Sequence, residues 1–330
     1  MKKLLSDTVS SIYSFVKSNR HLRRLYYAAA NSSYFTNYLE HEKMLSDKQR
    51  MDTYHRAIIK HINKDDIVID LGTGTGILSF FASQKSPKKI YAIEHGKIIE
   101  TAKKICKNNG IKNIEFINTN SRNFSISEKA DFIIHEQIGA LLFDEHMIEN
   151  ISDLKNRVLK EDGKILPGKF EVFLAPVKLK DHSKVPFLWE QNIHGIKYDC
   201  LNDLKNNNNI EADYGLLKIR PEAVDYFLSE PVKILYYDMD SMSAEDLKNN
   251  YDIIVKTDRS GITDGFCFFF NIIFDEEIIL STNPLTSITH WNIPILRTEN
   301  KFYGEGEEIK FNLSWKDPSN MESYKWSIIN

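Results

Sequence analysis

From residue 67 onward the chain alternates short β-branched runs with stretches of helical length, and this alternation limits its fold more than any other feature. The runs are Ile67-Val68-Ile69, Ile90-Tyr91-Ala92-Ile93, Ile114-Glu115-Phe116-Ile117, Phe132-Ile133-Ile134 and Gly163-Lys164-Ile165-Leu166. Parallel strands cannot be joined by a tight turn and need a crossover, usually a helix, so the order predicts βαβ units and a parallel sheet. Pro167-Gly168 then breaks the rhythm. Beyond it, 170–175, 231–237, 251–256, 265–274, 277–281, 308–315 and 324–329 read as strands without long helices between them. Such spacing predicts an antiparallel β-domain, sandwich or barrel. The segment 178–213 is more irregular and contains a run of four asparagines.

A length of 330 residues suits two domains at about 150 residues each. Apolar residues at 42% and charged residues at 27% allow a sizeable core and exclude a disordered or fibrous chain. Forty-three basic side chains against 46 acidic ones leave a net charge of −3, which gives none of the positive field of a nucleic-acid binder. Three scattered cysteines, Cys106, Cys200 and Cys267, make neither a disulfide framework nor a zinc cluster, so a reducing, cytoplasmic setting is expected. No apolar run approaches the roughly 20 residues that span a bilayer. Ser6-Asp7 interrupts what begins like a signal peptide at Lys2-Lys3-Leu4-Leu5. Residues 7–30 carry apolar side chains near a 3.6-residue period with Lys17, Arg20, Arg23 and Arg24 largely opposite, which predicts an amphipathic helix with a basic side. Its apolar face either packs on its own domain or lies on a membrane surface.

A second helix is expected over about 42–61. Asp47, Arg50 and Tyr54 share one of its faces, either turned toward a site or interface, or solvated with a local Asp-Arg pair. Asp70-Leu71-Gly72-Thr73-Gly74-Thr75-Gly76 follows the first strand and opens a helix, where a doubly wound sheet binds its ligand. A dinucleotide fingerprint would place glycine where Ile77 stands. An acid followed by alternate glycines resembles instead the S-adenosylmethionine-dependent methyltransferases, whose ligand needs close backbone approach rather than a phosphate seat. Glu94 ends the second strand, about 20 residues on, where a carboxylate accepts hydrogen bonds from ribose hydroxyls. By the same resemblance, Asn120 and Ser121 fall where the adenine is contacted.

After the fourth strand comes Glu136-Gln137-Ile138-Gly139-Ala140-Leu141-Leu142-Phe143-Asp144-Glu145-His146-Met147. Along a continuous helix the two glutamates would be about 900° apart and face opposite ways, so one shared site requires the chain to fold back, with Gly139 as the flexible point. Two carboxylates in one pocket repel unless a cation lies between them, and a planar guanidinium is the cation they can grip on two edges. Taken singly, Glu136 and Glu145 also read as surface acids, and Met44 and Met147 as core gap-fillers.

The segment resembles the double-glutamate loop of the protein arginine methyltransferases. Tyr34-Phe35, Tyr38 and the run His41 to Arg50 with Tyr54 resemble that family's cofactor-covering helices, and Ser281 to Pro284 with Thr289-His290-Trp291 its threonine-histidine-tryptophan loop. Leu188-Trp189-Glu190 through His194-Gly195 to Cys200 resembles its dimerisation arm. The likeness spans about 34–330. It implies four regions: an N-terminal helix over 1–33, covering helices over 34–60, a Rossmann-like adenosylmethionine-binding domain over 61–167, and an antiparallel β-barrel domain over 168–330 with an arm about 178–213. It implies S-adenosyl-L-methionine as cofactor, held by Phe35, Tyr38, Met44, Arg50, Asp70, Gly72, Gly74, Gly76, Glu94, Asn120 and Ser121. Glu136, Glu145, His290 and Asp47 become the catalytic set, and Tyr34, Met147 and Trp291 the acceptor side. Met44 and Met147 match members that make monomethyl and asymmetric dimethyl products. The implied partners are an arginine-containing protein or a small guanidine, and a second copy of the chain in a head-to-tail dimer, with no nucleic acid and no membrane. The chain departs from the family in three places. It is three residues short between Tyr38 and His41, it has His135 where a small residue is usual, and it has Gln137-Ile138 for the usual Trp-Met. These surround the acceptor mouth, so free arginine remains an alternative acceptor. A non-catalytic adenosylmethionine-binding scaffold would not need both glutamates and His290.

Overall fold

A computed structural model describes residues 37–206 and 215–329. The basic helix expected over 7–30, together with Tyr34 and Phe35, lies outside those residues. Strands β1 (Ile67–Leu71), β2 (Lys89–Glu94), β3 (Ile114–Asn118), β4 (Ala130–His135) and β5 (Leu159–Leu166) form one parallel sheet in the order β3-β2-β1-β4-β5. Every residue of β1 is buried, the pattern of a strand covered on both faces. Each of its four aliphatic side chains contributes about 1.5–3 kcal/mol on burial, so β1 is held centrally by packing rather than by strand propensity.

Helices α1 (Tyr38–Ser46) and α2 (Lys48–His61) precede the sheet, and α3 (Ile77–Ser83), α4 (Ile99–Asn108) and α5 (Met147–Val158) lie between its strands. The order reverses at β1, which has β2 on one side and β4 on the other. A crevice opens beyond the carboxyl ends of strands at such a switch point, between Leu71 and His135 here.

The sheet ends at Leu166, and β6 (Lys169–Leu179) begins the antiparallel half. It is followed by β7 (Asn192–Ile193), β8 (Ile196–Lys197), β9 (Leu216–Ile219), β10 (Val224–Phe227), β11 (Val232–Asp238), β12 (Asn250–Lys256), β13 (Gly261–Ile273), β14 (Ile279–Ser281), β15 (Ile293–Tyr303), β16 (Glu308–Ser314) and β17 (Lys325–Ile329). Their ladders give a seven-stranded sheet built on β6, β13 and β15, a three-stranded sheet β12-β16-β17, and the small β7-β8 hairpin. The two larger sheets pack through Phe266 on β13 and Phe311 on β16, whose rings stack at 3.9 Å.

Helix α2 joins the two halves. It buries Arg50, Thr53, Tyr54, Ala57 and Ile58, one stripe at helical spacing, so the face that carries Arg50 and Tyr54 is not the solvated one. Tyr54 meets Phe274 edge to face at 4.8 Å, and at the helix end Lys60 and His61 reach Asp275 at 2.9 and 2.7 Å. Lys60, His61 and the Glu277 and Ile278 amides are four donors to Asp275, and they hold its pKa well below the carboxylate range although burial alone raises it. Gln49 Nε2 donates to Ser287 Oγ at 3.1 Å nearer the other end. The helix is thereby fixed over the crevice by contacts to the second domain.

Candidate active site

The glycine-rich turn between β1 and α3 has Gly72, Gly74 and Gly76 at φ of 74°, 54° and 93°, a region closed to most side chains. Gly72 and Gly74 line the cleft, and a Cβ at Gly74 would stand 3.2 Å from His41 Cε1. Gly76 serves the helix instead, since a Cβ there would lie 2.5 Å from Phe80 Cζ. Asp70 also faces inward. Its Oδ2 accepts from Thr73 Oγ1 and Ser79 Oγ, both at 2.6 Å, and from Ser79 N at 3.0 Å. Burial lifts its pKa to about 6 against those donors. Expected as cofactor ligands, Asp70 and Gly76 thus brace the turn from behind, because a loop this tight has to be tied to the strand and helix that flank it.

Glu94, at the end of β2, accepts from Gly96 N through Oε1 at 2.7 Å and from Gly74 N through Oε2 at 3.2 Å. Two backbone donors fix the carboxylate at the cleft wall. Asn120 and Ser121, with Thr119, line the far end of the same cleft beyond β3.

Glu136 and Gln137 leave β4 directly into the crevice, and the chain then folds back. Leu142 N donates to Gly139 O at 3.0 Å, closing a one-bridge hairpin, with Leu142 and His146 in the left-handed region at φ 66° and 58°. A Cβ at Gly139 would collide with the Asp144 carboxylate. This fold-back brings Glu145 to the cleft beside Glu136. Glu136 already holds a guanidinium: Arg50 Nη2 donates to its Oε2 at 2.5 Å, while Arg50 Nη1 donates to Met44 O at 2.9 Å. Among the described residues Glu145 has no such partner. Burial, then the neighbouring Glu136 and Asp144 charges, push its pKa to about 8, with Arg50 and Lys218 opposing. Lys218, on β9, lies 3.8 Å from Asp144.

His290 and Trp291 come from the loop between β14 and β15. His290 N donates to Asp47 Oδ2 at 2.8 Å, and its Nδ1 lies 2.9 Å from the same oxygen. Asp47 Oδ1 caps α2 by accepting from Arg50 N at 3.0 Å. An ionised carboxylate only accepts, so Nδ1 carries a proton, and in the neutral ring Nε2 is then the acceptor nitrogen. Trp291 Nε1 donates to Ile138 O at 2.7 Å, which ties the β-domain to the glutamate loop.

Met44, Arg50, Gly72, Gly74, Glu94, Glu136, Glu145, His290 and Trp291 therefore share one cleft, with Asp47 directly behind His290. Besides Asp70 and Gly76, two expected residues stand apart from it. Tyr38 is 60% exposed and its hydroxyl lies 3.1 Å from Thr101 Oγ1 on α4. Met147 is fully buried as the first residue of α5, where its apolar side chain completes the core. His41, from the run that resembles a covering helix, and Gln137, from the departures at the acceptor mouth, also line the cleft, and so does Lys218. Lys218 belongs to no motif, and only strand pairing brings it here.

Residues 62–212 match the model of a methyltransferase domain, and 169–328 match that of the arginine methyltransferase oligomerization subdomain. These matches point to the protein arginine methyltransferases. Protein arginine N-methyltransferase 6 of Danio rerio is 29% identical over 287 residues, 83% of this chain and 81% of that one. Protein arginine N-methyltransferase 2 of Xenopus tropicalis is 28% identical over 262 residues, 76% of this chain and 60% of that one. Among solved structures, the Trypanosoma brucei PRMT1 enzyme-prozyme complex with AdoHcy aligns with a TM-score of 0.77 at 22% identity, over 89% of this chain and 94% of that one. Arabidopsis thaliana protein arginine methyltransferase 10 aligns with 0.73 at 23%, over 88% and 92%. This chain is an S-adenosylmethionine-dependent methyltransferase. Its residues suit that cofactor: two side-chain-free glycines at the wall, a fixed carboxylate at Glu94 for a diol, and a guanidinium at Arg50 for a carboxylate.

Proposed function

We propose that the chain methylates a nitrogen of a guanidino group, that of arginine in a protein or peptide. The observation that carries this reading is Glu145, a carboxyl beside Glu136 whose pKa of about 8 a cation in the cleft would bring back down. Bound in the cleft, S-adenosylmethionine supplies a methyl group on a positively charged sulfur. Glu136 and Glu145 grip the acceptor guanidinium on two edges and aim one nitrogen at that methyl. Such orientation is worth up to about 7–11 kcal/mol in favourable intramolecular cases. Arginine stays protonated in water, so a proton must leave with or after transfer. His290 Nε2 accepts it, with Asp47 holding Nδ1.

Free arginine is a second reading. Lys218, a cation in the same cleft, would meet the carboxylate of a small acceptor. The deciding experiment incubates purified protein and S-adenosylmethionine with free L-arginine beside an Arg-Gly-rich peptide and follows methyl addition by mass. In the same assay Glu136→Gln and Glu145→Gln should each abolish most transfer while adenosylhomocysteine affinity changes by less than about threefold. Near wild-type turnover in either would overturn the clamp.

A head-to-tail homodimer goes with this proposal. The arm around the β7-β8 hairpin exposes Val185, Leu188, Ile193 and Ile196, and the family model over this half is named for oligomerization. Light scattering of Ile196→Asp tests it: a wild-type mass would count against the arm. A cytoplasmic location is proposed with it, on the sparse cysteines alone.

A further inference from the structure

Tyr54 shares the buried stripe of α2 with Arg50 and is 1% exposed, yet its hydroxyl finds no hydrogen-bond partner among the described residues. A buried, unmatched hydroxyl costs about 1–3 kcal/mol, so its retention calls for a reason. Its surroundings supply one. Arg50 Cζ lies 5.9 Å from the Tyr54 ring centre and 5.8 Å from that of Trp291, so the guanidinium is within cation–π reach of two aromatic rings while it holds Glu136. Burial, then the charge of Glu136, push the phenol pKa well above its ordinary value, with Arg50 opposing, so the group remains a proton-bearing donor.

Arg50 has two claims on it. It holds Glu136 now, and it is the guanidinium suited to the carboxylate of the cofactor. Its Nε is also buried and, among the described residues, without a partner, while its two Nη groups make the hydrogen bonds to Met44 O and Glu136. Once Arg50 turns toward an anion, Glu136 loses part of the contact that orients it. We propose that Tyr54 is a positioning residue, whose buried phenolic O–H donates to the Glu136 carboxylate when Arg50 engages the anionic end of the cofactor and so keeps Glu136 in its clamping orientation. The inference rests on the guanidinium clamp proposed above.

Tyr54→Phe removes one oxygen and keeps the ring on Phe274. The expected result is a kcat about tenfold lower with whichever of L-arginine or the Arg-Gly-rich peptide is methylated, adenosylhomocysteine Kd within about threefold, and an unchanged or raised Tm without ligand. 3-Fluorotyrosine at 54, which keeps the donor, should restore kcat. Wild-type kcat in Tyr54→Phe, or a loss of adenosylhomocysteine affinity in proportion to kcat, would overturn the proposal. So would a fluorotyrosine protein as impaired as Tyr54→Phe. Glu136→Gln run alongside separates the failures: turnover retained there removes the clamp, whereas turnover lost there but kept in Tyr54→Phe removes only this role.

Discussion

Asp47 and His290 lie 243 positions apart, and one oxygen of Asp47 meets both the backbone N–H and the ring Nδ1 of His290, at 2.8 and 2.9 Å. The other oxygen caps α2. A single carboxylate thus sets the start of the helix that carries Arg50 and the tautomer of the histidine facing the cleft. Asp47→Asn retains a capping oxygen but offers His290 an amide, so kcat should fall by about tenfold or more while adenosylhomocysteine affinity holds, measured by turnover and by calorimetry. Burial by itself raises the Asp47 pKa, yet the His290 and Arg50 donors outweigh it and the net shift is downward. A depressed carboxyl stabilises the fold above the ordinary carboxylate range and loses that contribution as pH falls through its folded pKa. The stability gap between wild type and Asp47→Asn should therefore narrow below about pH 4.

Glu145 gives the opposite sign. Its folded pKa of about 8 lies above the ordinary 4.5, so the folded state keeps a proton that the unfolded chain has already lost. Stability of the ligand-free protein should fall as pH rises from about 5 to 8, by at most about 1.4 kcal/mol per pH unit. Glu145→Gln should flatten that slope in urea denaturation at the two pH values. An identical slope in the variant would show that Glu145 is ionised in the free protein.

Gly139→Ala places a Cβ against the Asp144 carboxylate, which accepts from Leu141 N at 3.2 Å in the fold-back. The loop must open to admit it and Glu145 moves with the loop. Turnover should fall by about 10²-fold, the order expected for a misplacement near 1 Å. Adenosylhomocysteine binding, built on β1 and β2, should persist; its loss would show that the two halves of the cleft are coupled.

His135 is fully buried, and Nε2 lies 2.8 Å from Pro167 O. Burial lowers its pKa from 6.5 to about 4, with the Pro167 contact opposing. Between those values the unfolded chain binds a proton that the folded chain refuses, so stability should fall as pH drops through this window. His135→Gln, which keeps a donor for Pro167, should weaken that acid dependence in thermal melts from pH 6.5 to 4.5, with cleft turnover preserved. An unaltered dependence would assign it to other groups.

The parallel sheet was legible because buried parallel strands are continuous apolar runs. β15 was not. Pro294 and the polar stretch from Arg297 to Lys301 disguise it, although it is central to its sheet. Its ladder with β13 takes up at Ile295, one residue past the proline, so the missing N–H costs nothing on that side. Asp70, Gly76 and Met147 carried the right residue types, but type and spacing do not say which way a side chain faces. Asp70 and Gly76 proved to brace the loop and Met147 to fill the core.

By itself the sequence determined the order of elements, the turn that opens α3 and the two glutamates, because periodicity, glycine conformation and residue chemistry act over a few neighbouring positions. Tertiary structure alone decided that Asp47 reaches His290, that Trp291 ties down Ile138, that Lys218 joins the cleft and that Glu145 is left short of a cation. These depend on burial and on charges brought together across long chain separations, and neither is written in any local stretch of residues.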